Sequence, residues 1–227
     1  MAVKVKICGN TSYEDAAFAL DLGADAVGFI FYDKSSRHIA PSDAREIIKK
    51  LPPFAVKVGV FVNEFDIESV KNTARMCALN VIQLHGGESP EYCARLSEWT
   101  VVKALRVSDA FEPESARRYP VSAVLLDAFD PDAYGGTGRL FDWSRAVATK
   151  PHARVILAGG LTPENVHSAV KMVKPYGVDV TSGVEAKPGQ KDKQLLRAFM
   201  HEIERIRVEA GHSGPLSGQM QEWFEGS

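Results

Sequence analysis

Cysteine is scarce in this 227-residue chain: Cys8, Cys77 and Cys93 form an odd, widely spaced trio. They offer no disulfide framework and no C-x-x-C spacing, and they suit a reducing compartment, so a cytoplasmic protein is expected. The histidines His38, His85, His152, His167, His201 and His212 make no close ligand pair. No metal site is therefore expected. No G-x-G-x-x-G follows a strand, so a dinucleotide site has no support. The formal net charge of −2 gives no reason to expect nucleic acid or an anionic membrane as partner. No charged-then-apolar leader opens the chain, and no apolar run is long enough to span a bilayer. Low-complexity stretches and composition shifts are also missing. With 45% hydrophobic residues the chain can bury one sizeable core.

What is present is alternation. Short β-branched runs recur between helical patterns, in units of βαβ length. The strand candidates are VKVKIC, AVGFIF, AVKVGVFV, VIQLH, TVVKALRV, AVLLD, RVILAG and GVDVT. Thr11 and Glu14 read as a capping box for the first helix, which Gly23 ends. Ser89 and Pro90 open the fourth. From about Lys193 to Val208, apolar residues repeat at Leu196, Phe199, Met200, Ile203 and Ile206, giving one core-facing stripe. Eight such units predict a (β/α)8 barrel over residues 1–209. Residues 210–227, rich in Gly and Ser, lose the pattern and read as a weakly ordered tail. Its Trp223 and Phe224 are costly to leave in water, so docking on the barrel or on a partner chain is the other reading.

Two late segments read together as a phosphate clamp. In VILAGGLTPENV, Gly159 and Gly160 end a strand, with Thr162 as helix N-cap and Pro163 as first helical residue. In GVDVTSGVE, Thr181, Ser182 and Gly183 follow another apolar run. Helix starts present unpaired N–H groups to an anion. A phosphate-bearing ligand follows, bound where strands seven and eight end.

Functional residues of such a barrel lie at the C-terminal strand ends and in the loops after them. That rule selects Cys8, His85, Asp127 and Asp179 at strand ends, and Arg37 in the second loop. Cys77 and Cys93 fall within helix patterns and read as small buried hydrophobes. His85 either meets substrate or orients a neighbour. The fork of Arg37 suits a carboxylate or phosphate. The loop after strand six, AFDPDAYGGTGRLFDW, carries Gly135, Gly136 and Gly138 and suits a mobile cover.

These residues also carry a family resemblance. VKICGNTSYEDA, GADAVGFIFYDKSSRHIAP, KVGVFVNE, VIQLHG, LLDA, YGGTGRLFDW, LAGGLTPENV and GVDVTSGVEAKPGQKD resemble, in order, phosphoribosylanthranilate isomerase, a (β/α)8 enzyme of tryptophan biosynthesis. They run from Met1 to about Gln194. The resemblance implies an Amadori rearrangement of N-(5-phosphoribosyl)anthranilate to 1-(2-carboxyphenylamino)-1-deoxyribulose 5-phosphate, with no cofactor. It implies Asp127 as general acid on the ribose ring oxygen and Cys8 as general base on the adjacent sugar carbon. Arg37 would hold the anthranilate carboxylate and Asp179 a substrate hydroxyl. His85 is placed with the substrate-binding residues. The phosphate would rest on Gly159, Gly160, Thr181, Ser182 and Gly183. The only partner expected is the phosphosugar, in a monomer or homodimer.

The chemistry adds a constraint. A free thiol titrates at about 8.5 and a free Asp at about 3.9, so these roles ask for Cys8 down and Asp127 up. The resting enzyme is expected to keep Asp127 partly protonated. Lys6 shares its strand face with Cys8, and Lys57 and Lys103 sit in strands three and five. One or more should enter the core and pair with a strand-end acid such as Asp127 or Asp179, since an unpaired buried ammonium is too costly. The alternative is that they point outward between helices.

Three other readings compete. The analogous isomerase of histidine biosynthesis would use two aspartates, which Cys8 disfavours. Indole-glycerol-phosphate synthase has a lysine and glutamate pattern absent here. A non-catalytic phosphosugar-binding barrel would need neither Cys8 nor Asp127.

Overall fold

A computed structural model describes residues 2–128 and 142–212. Eight parallel strands close into a barrel: β1 Lys4–Ile7, β2 Ala26–Ile30, β3 Val56–Phe61, β4 Val81–Leu84, β5 Thr100–Val107, β6 Ala123–Ala128, β7 Val155–Leu157 and β8 Gly177–Val180. Closure comes from β1, which pairs with both β2 and β8 and sets Lys6 beside Asp179. All eight strands fall on the segments expected from the sequence.

The helices are α1 Tyr13–Asp21, α2 Pro41–Ile48, α3 Ile67–Met76, α4 Pro90–Ala94, α5 Trp143–Thr149, α6 Val166–Val173 and α7 Lys193–Glu209. Between β5 and β6 the crossover is a 3₁₀ helix, Pro113–Arg118. A short hairpin, β9 Glu185–Lys187 with β10 Gln190–Lys191, follows β8.

Most helix ends obey their local chemistry. Ser89 caps α4, with Pro90 in its first turn. The α7 stripe of Leu196, Phe199, Met200, Ile203 and Ile206 is buried as expected. Two starts differ. The cap of α1 is Ser12, whose hydroxyl accepts from the Asp15 amide; Thr11 instead donates to the Gly189 carbonyl, across the chain. In the seventh unit, residues 162–165 form a turn and α6 begins at Val166, because Asn165 folds its side chain back onto the Thr162 amide and the Gly160 carbonyl.

Strand parity divides the core. Val102, Ala104, Ala123, Leu125 and Ala158 form a small cluster, joined by Val81 and Ile156, that fills the barrel interior. The alternate residues, such as Ile82, Leu84, Val124 and Leu126, pack outward under the helices in the larger cluster. This alternation puts Asp127 in line with Ala123 and Leu125, and His85 in line with Val81 and Gln83. No described helix is long and apolar enough to cross a membrane. The glycine-rich loop expected to cover the site, and Trp223 and Phe224, lie outside the described residues.

Candidate active site

One pocket at the C-terminal mouth gathers every candidate residue. Its lining includes Cys8, Arg37, His85, Asp127, Gly159, Gly160, Asp179, Thr181, Ser182 and Gly183. A second cavity, of about 620 Å³, opens at the opposite end of the barrel. It is larger, but its lining holds neither Cys8 nor Asp127.

The proposed acid is held from two sides. Asp127 Oδ1 accepts from the Ala128 amide at 2.9 Å, and Oδ2 lies 3.1 Å from His85 Nε2. Gln83 Nε2 lies 2.9 Å from His85 Nδ1. The Gln83 amide donates there, so the imidazole carries its proton on Nε2 and donates it to Asp127. Both nitrogens of His85 thus have protein partners. All three side chains are buried.

Beneath Cys8, Lys6 Nζ donates to Asp179 Oδ1 at 2.8 Å, with both side chains under a tenth exposed. This is the core lysine expected from parity. Lys57 and Lys103 do not join it. Lys57 alternates with the inward Val56 and Val58. Lys103 is buried on the outer face, where its ammonium meets Glu88 at 2.9 Å and the carbonyls of Leu84 and Gly86. Glu88 in turn accepts from the Gly86 and Asn63 amides, so this pair braces the loop that follows His85.

The Cys8 thiol departs from expectation. Burial pushes it up from the ordinary thiol range, while Lys6 pulls it down and Asp179 pushes it up. Burial wins, so the thiol lies above the ordinary thiol range and not below it.

The turns after β7 and β8 interlock. Gly159 and Gly160 both have positive φ, +78° and +65°. A Cβ at Gly159 would stand 2.6 Å from the Ala128 amide and 3.0 Å from Asp127 Oδ1. At Gly183 a Cβ would run into the carbonyl oxygen of Leu161. Only glycine lets the two turns meet this closely. The second turn continues into a three-residue 3₁₀ helix, Ser182–Val184. Of the two helix starts read from the sequence, the first is delayed to Val166 by a turn that Asn165 braces, and the second is this 3₁₀ turn opening at Ser182.

Arg37 does not reach the pocket as a free fork. Its Nε and Nη2 make a bidentate pair with Glu185, the shortest contact being 2.7 Å. Glu185 also meets Lys191 Nζ at 3.0 Å, and Lys191 donates to the Cys8 carbonyl at 2.5 Å. Burial pulls Lys191 down from the ordinary lysine range, opposed by Glu185 and Cys8. Sequence reading missed Gln83, Asn165, Glu185 and Lys191. Parity with His85 points to the first; Asn165 sits in a turn, and Glu185 and Lys191 sit in hairpin strands too short to show a period.

Comparison with known proteins places the chain in a family. A family model described as N-(5'phosphoribosyl)anthranilate (PRA) isomerase matches residues 5–202. The N-(5'-phosphoribosyl)anthranilate isomerase of Citrifermentans bemidjiense is 51% identical over 205 residues, covering 90% of this chain and 98% of that protein. Among solved structures, a phosphoribosyl anthranilate isomerase in complex with reduced 1-(o-carboxyphenylamino)-1-deoxyribulose 5-phosphate superposes with TM-score 0.79 and 45% identity, over 89% of this chain and 99% of that one. Monomers generated from the dimeric enzyme of Thermotoga maritima give TM-score 0.80 and 43% identity, over 89% and 99%. The chain belongs to the phosphoribosylanthranilate isomerase family and is an isomerase of tryptophan biosynthesis.

Proposed function

We propose that the isomerisation is an Amadori rearrangement run by Asp127 as general acid and Cys8 as general base. The observation that carries this reading is their placement in one pocket, with glycine turns and Arg37 in the same lining. Asp127 protonates the ribose ring oxygen as the bond from that oxygen to C1 breaks, leaving a Schiff base between C1 and the anthranilate nitrogen. The Cys8 thiolate then takes the C2 proton. The C–H electrons form a C1–C2 double bond and the imine electrons return to nitrogen, giving an enolamine. Loss of the 2-hydroxyl proton and gain of one at C1 yield the ketone. The thiol and carboxylate exchange their protons with solvent, and no cofactor is needed.

The remaining groups bind and position. The phosphate rests on Gly159, Gly160, Thr181, Ser182 and Gly183, in turns where Gly159 and Gly183 leave no room for a Cβ. Arg37 takes the anthranilate carboxylate. Asp179 keeps one oxygen on Lys6 and offers the other to a substrate hydroxyl. His85 aims Asp127 instead of meeting substrate.

The chain further reads as a cytoplasmic homodimer. Phe54 is 97% exposed and lies on the rim of the large cavity at the N-terminal end of the barrel. One face thus carries both a protruding aromatic and an apolar hollow, which a two-fold axis matches to each other. The free, buried cysteines suit a reducing compartment.

The acid–base assignment is tested by substrate consumption, followed as loss of anthranilate-type fluorescence with substrate made in place from anthranilate and phosphoribosyl pyrophosphate. Cys8→Ser and Asp127→Asn should each lose at least about a hundredfold in kcat while still binding a phosphate ligand. Turnover indifferent to Cys8 would discard the mechanism.

A further inference from the structure

The Arg37 fork is spent on Glu185. A guanidinium paired bidentately with a carboxylate is close to neutral from a distance, yet this is the group assigned to a substrate anion. The missing charge lies one residue deeper. Lys191 has no exposed side-chain surface and aims its ammonium at three oxygens: Glu185 Oε1 at 3.0 Å, the Cys8 carbonyl at 2.5 Å and the Thr181 carbonyl at 3.5 Å. Three acceptors match the three donors of a charged ammonium. Its position is fixed by the β9–β10 hairpin, whose Lys191 amide donates to Asp15 at 3.0 Å. Glu185 is 3% exposed and Arg37 12%, so water screens little within the trio. Within the trio, two cations and one anion leave one net positive charge.

We propose that Lys191 is the specificity-determining cation for the substrate carboxylate: it offsets Glu185, so that Glu185 can fix the Arg37 fork without cancelling its charge. Glu185 orients, Arg37 touches, and Lys191 supplies the balance. This rests on the reading that Arg37 meets the anthranilate carboxylate.

The experiment compares two ligands by calorimetry: reduced 1-(o-carboxyphenylamino)-1-deoxyribulose 5-phosphate and its phenylamino counterpart, which lacks the carboxylate. The quantity read is the ratio of their affinities. Lys191→Met should lower that ratio about tenfold, with the carboxylate-free ligand bound within about twofold of wild type. Glu185→Gln, which raises the net charge, should hold the ratio at or above wild type. The double variant K191M/E185Q removes the buried pair together and should return the ratio to the wild-type level, so folding of the single variants does not decide the matter. A merely structural role would weaken both ligands alike, or move the ratio down in both single variants; either result overturns the proposal. Arg37→Ala separates the two claims. A ratio that survives Arg37→Ala but falls in Lys191→Met rejects the Arg37 assignment alone. A ratio that falls in Arg37→Ala but survives Lys191→Met rejects the role of Lys191 alone.

Discussion

Lys6 and Asp179 face each other at 2.8 Å across the β1–β8 seam that closes the barrel, directly beneath Cys8. The pair sets the electrostatic floor of the site. Asp179 pushes the thiol up and Lys6 pulls it down. Lys6→Met should therefore move the Cys8 titration, read from thiolate absorbance or alkylation rate, to higher pH. The rising limb of kcat against pH should move with it. Because Asp179 would be left buried without its partner, stability should drop by about 3–5 kcal/mol. A folded variant with an unmoved thiol titration would leave Lys6 as nothing more than the partner of Asp179.

His85 stands between Gln83 and Asp127, at 2.9 and 3.1 Å. If its task is to aim the acid, His85→Ala should lower kcat by roughly tenfold to a hundredfold with KM changed little. Gln83→Leu should do the same more weakly, by freeing the imidazole tautomer. An increase in KM without loss of kcat in His85→Ala would return His85 to the substrate.

These two relationships differ in how far the sequence discloses them. Lys6 and Cys8 are two residues apart on one strand, so parity alone put them on one face; the cost of a bare ammonium called for a strand-end acid, Asp127 or Asp179, and the structure supplies Asp179. The same parity argument sorts Lys57 and Lys103 outward, once β3 and β5 are known to place Val58 and Val102 inside. The barrel itself was legible because every strand is a short β-branched run ending in a turn. The link from Arg37 to Glu185 was not legible, since the two are separated by 148 residues and lie in segments with no period. The start of α6 was misread for a local reason. Thr162–Pro163 has the chemistry of a helix start, but Asn165 takes the Thr162 amide and delays the helix to Val166.

The contact between the turns after β7 and β8 predicts a separable defect if they hold the phosphate. Gly183→Ala would drive a methyl group into the Leu161 carbonyl and force the turns apart. Overpacking of this kind should cost about 1–3 kcal/mol of stability. Affinity for inorganic phosphate should fall at least about tenfold, while alkylation of Cys8 proceeds at the wild-type rate. Unchanged phosphate affinity in Gly183→Ala would move the anion elsewhere in the pocket.

Buried thiols give the fold a direction of pH sensitivity. Burial pushes Cys93 up to about 11, and Cys77 is raised by the same cause. Below the unfolded value of about 8.5, thiols are protonated in both states and their contribution to stability is complete. As the pH rises past it, the unfolded chain ionises first and stability is lost until the folded values are reached. Urea midpoints should thus decline between about pH 8.5 and 11, and less steeply in Cys93→Ala than in wild type. Equal slopes would remove Cys93 from the linkage.

At the far end of the barrel, Phe54 is 97% exposed while the adjoining cavity is lined by apolar residues such as Val56, Val81, Val102 and Ile156. Burying a phenylalanine is worth about 1.5–3 kcal/mol, and a two-fold interface gains it twice. Phe54→Asp should therefore shift the chain from dimer to monomer in sedimentation at micromolar concentration. The candidate site lies at the opposite mouth of the barrel, so kcat per chain should stay within about twofold of wild type. A wild-type protein that sediments as a monomer throughout would refute the interface, and a Phe54→Asp dimer would place it on another face.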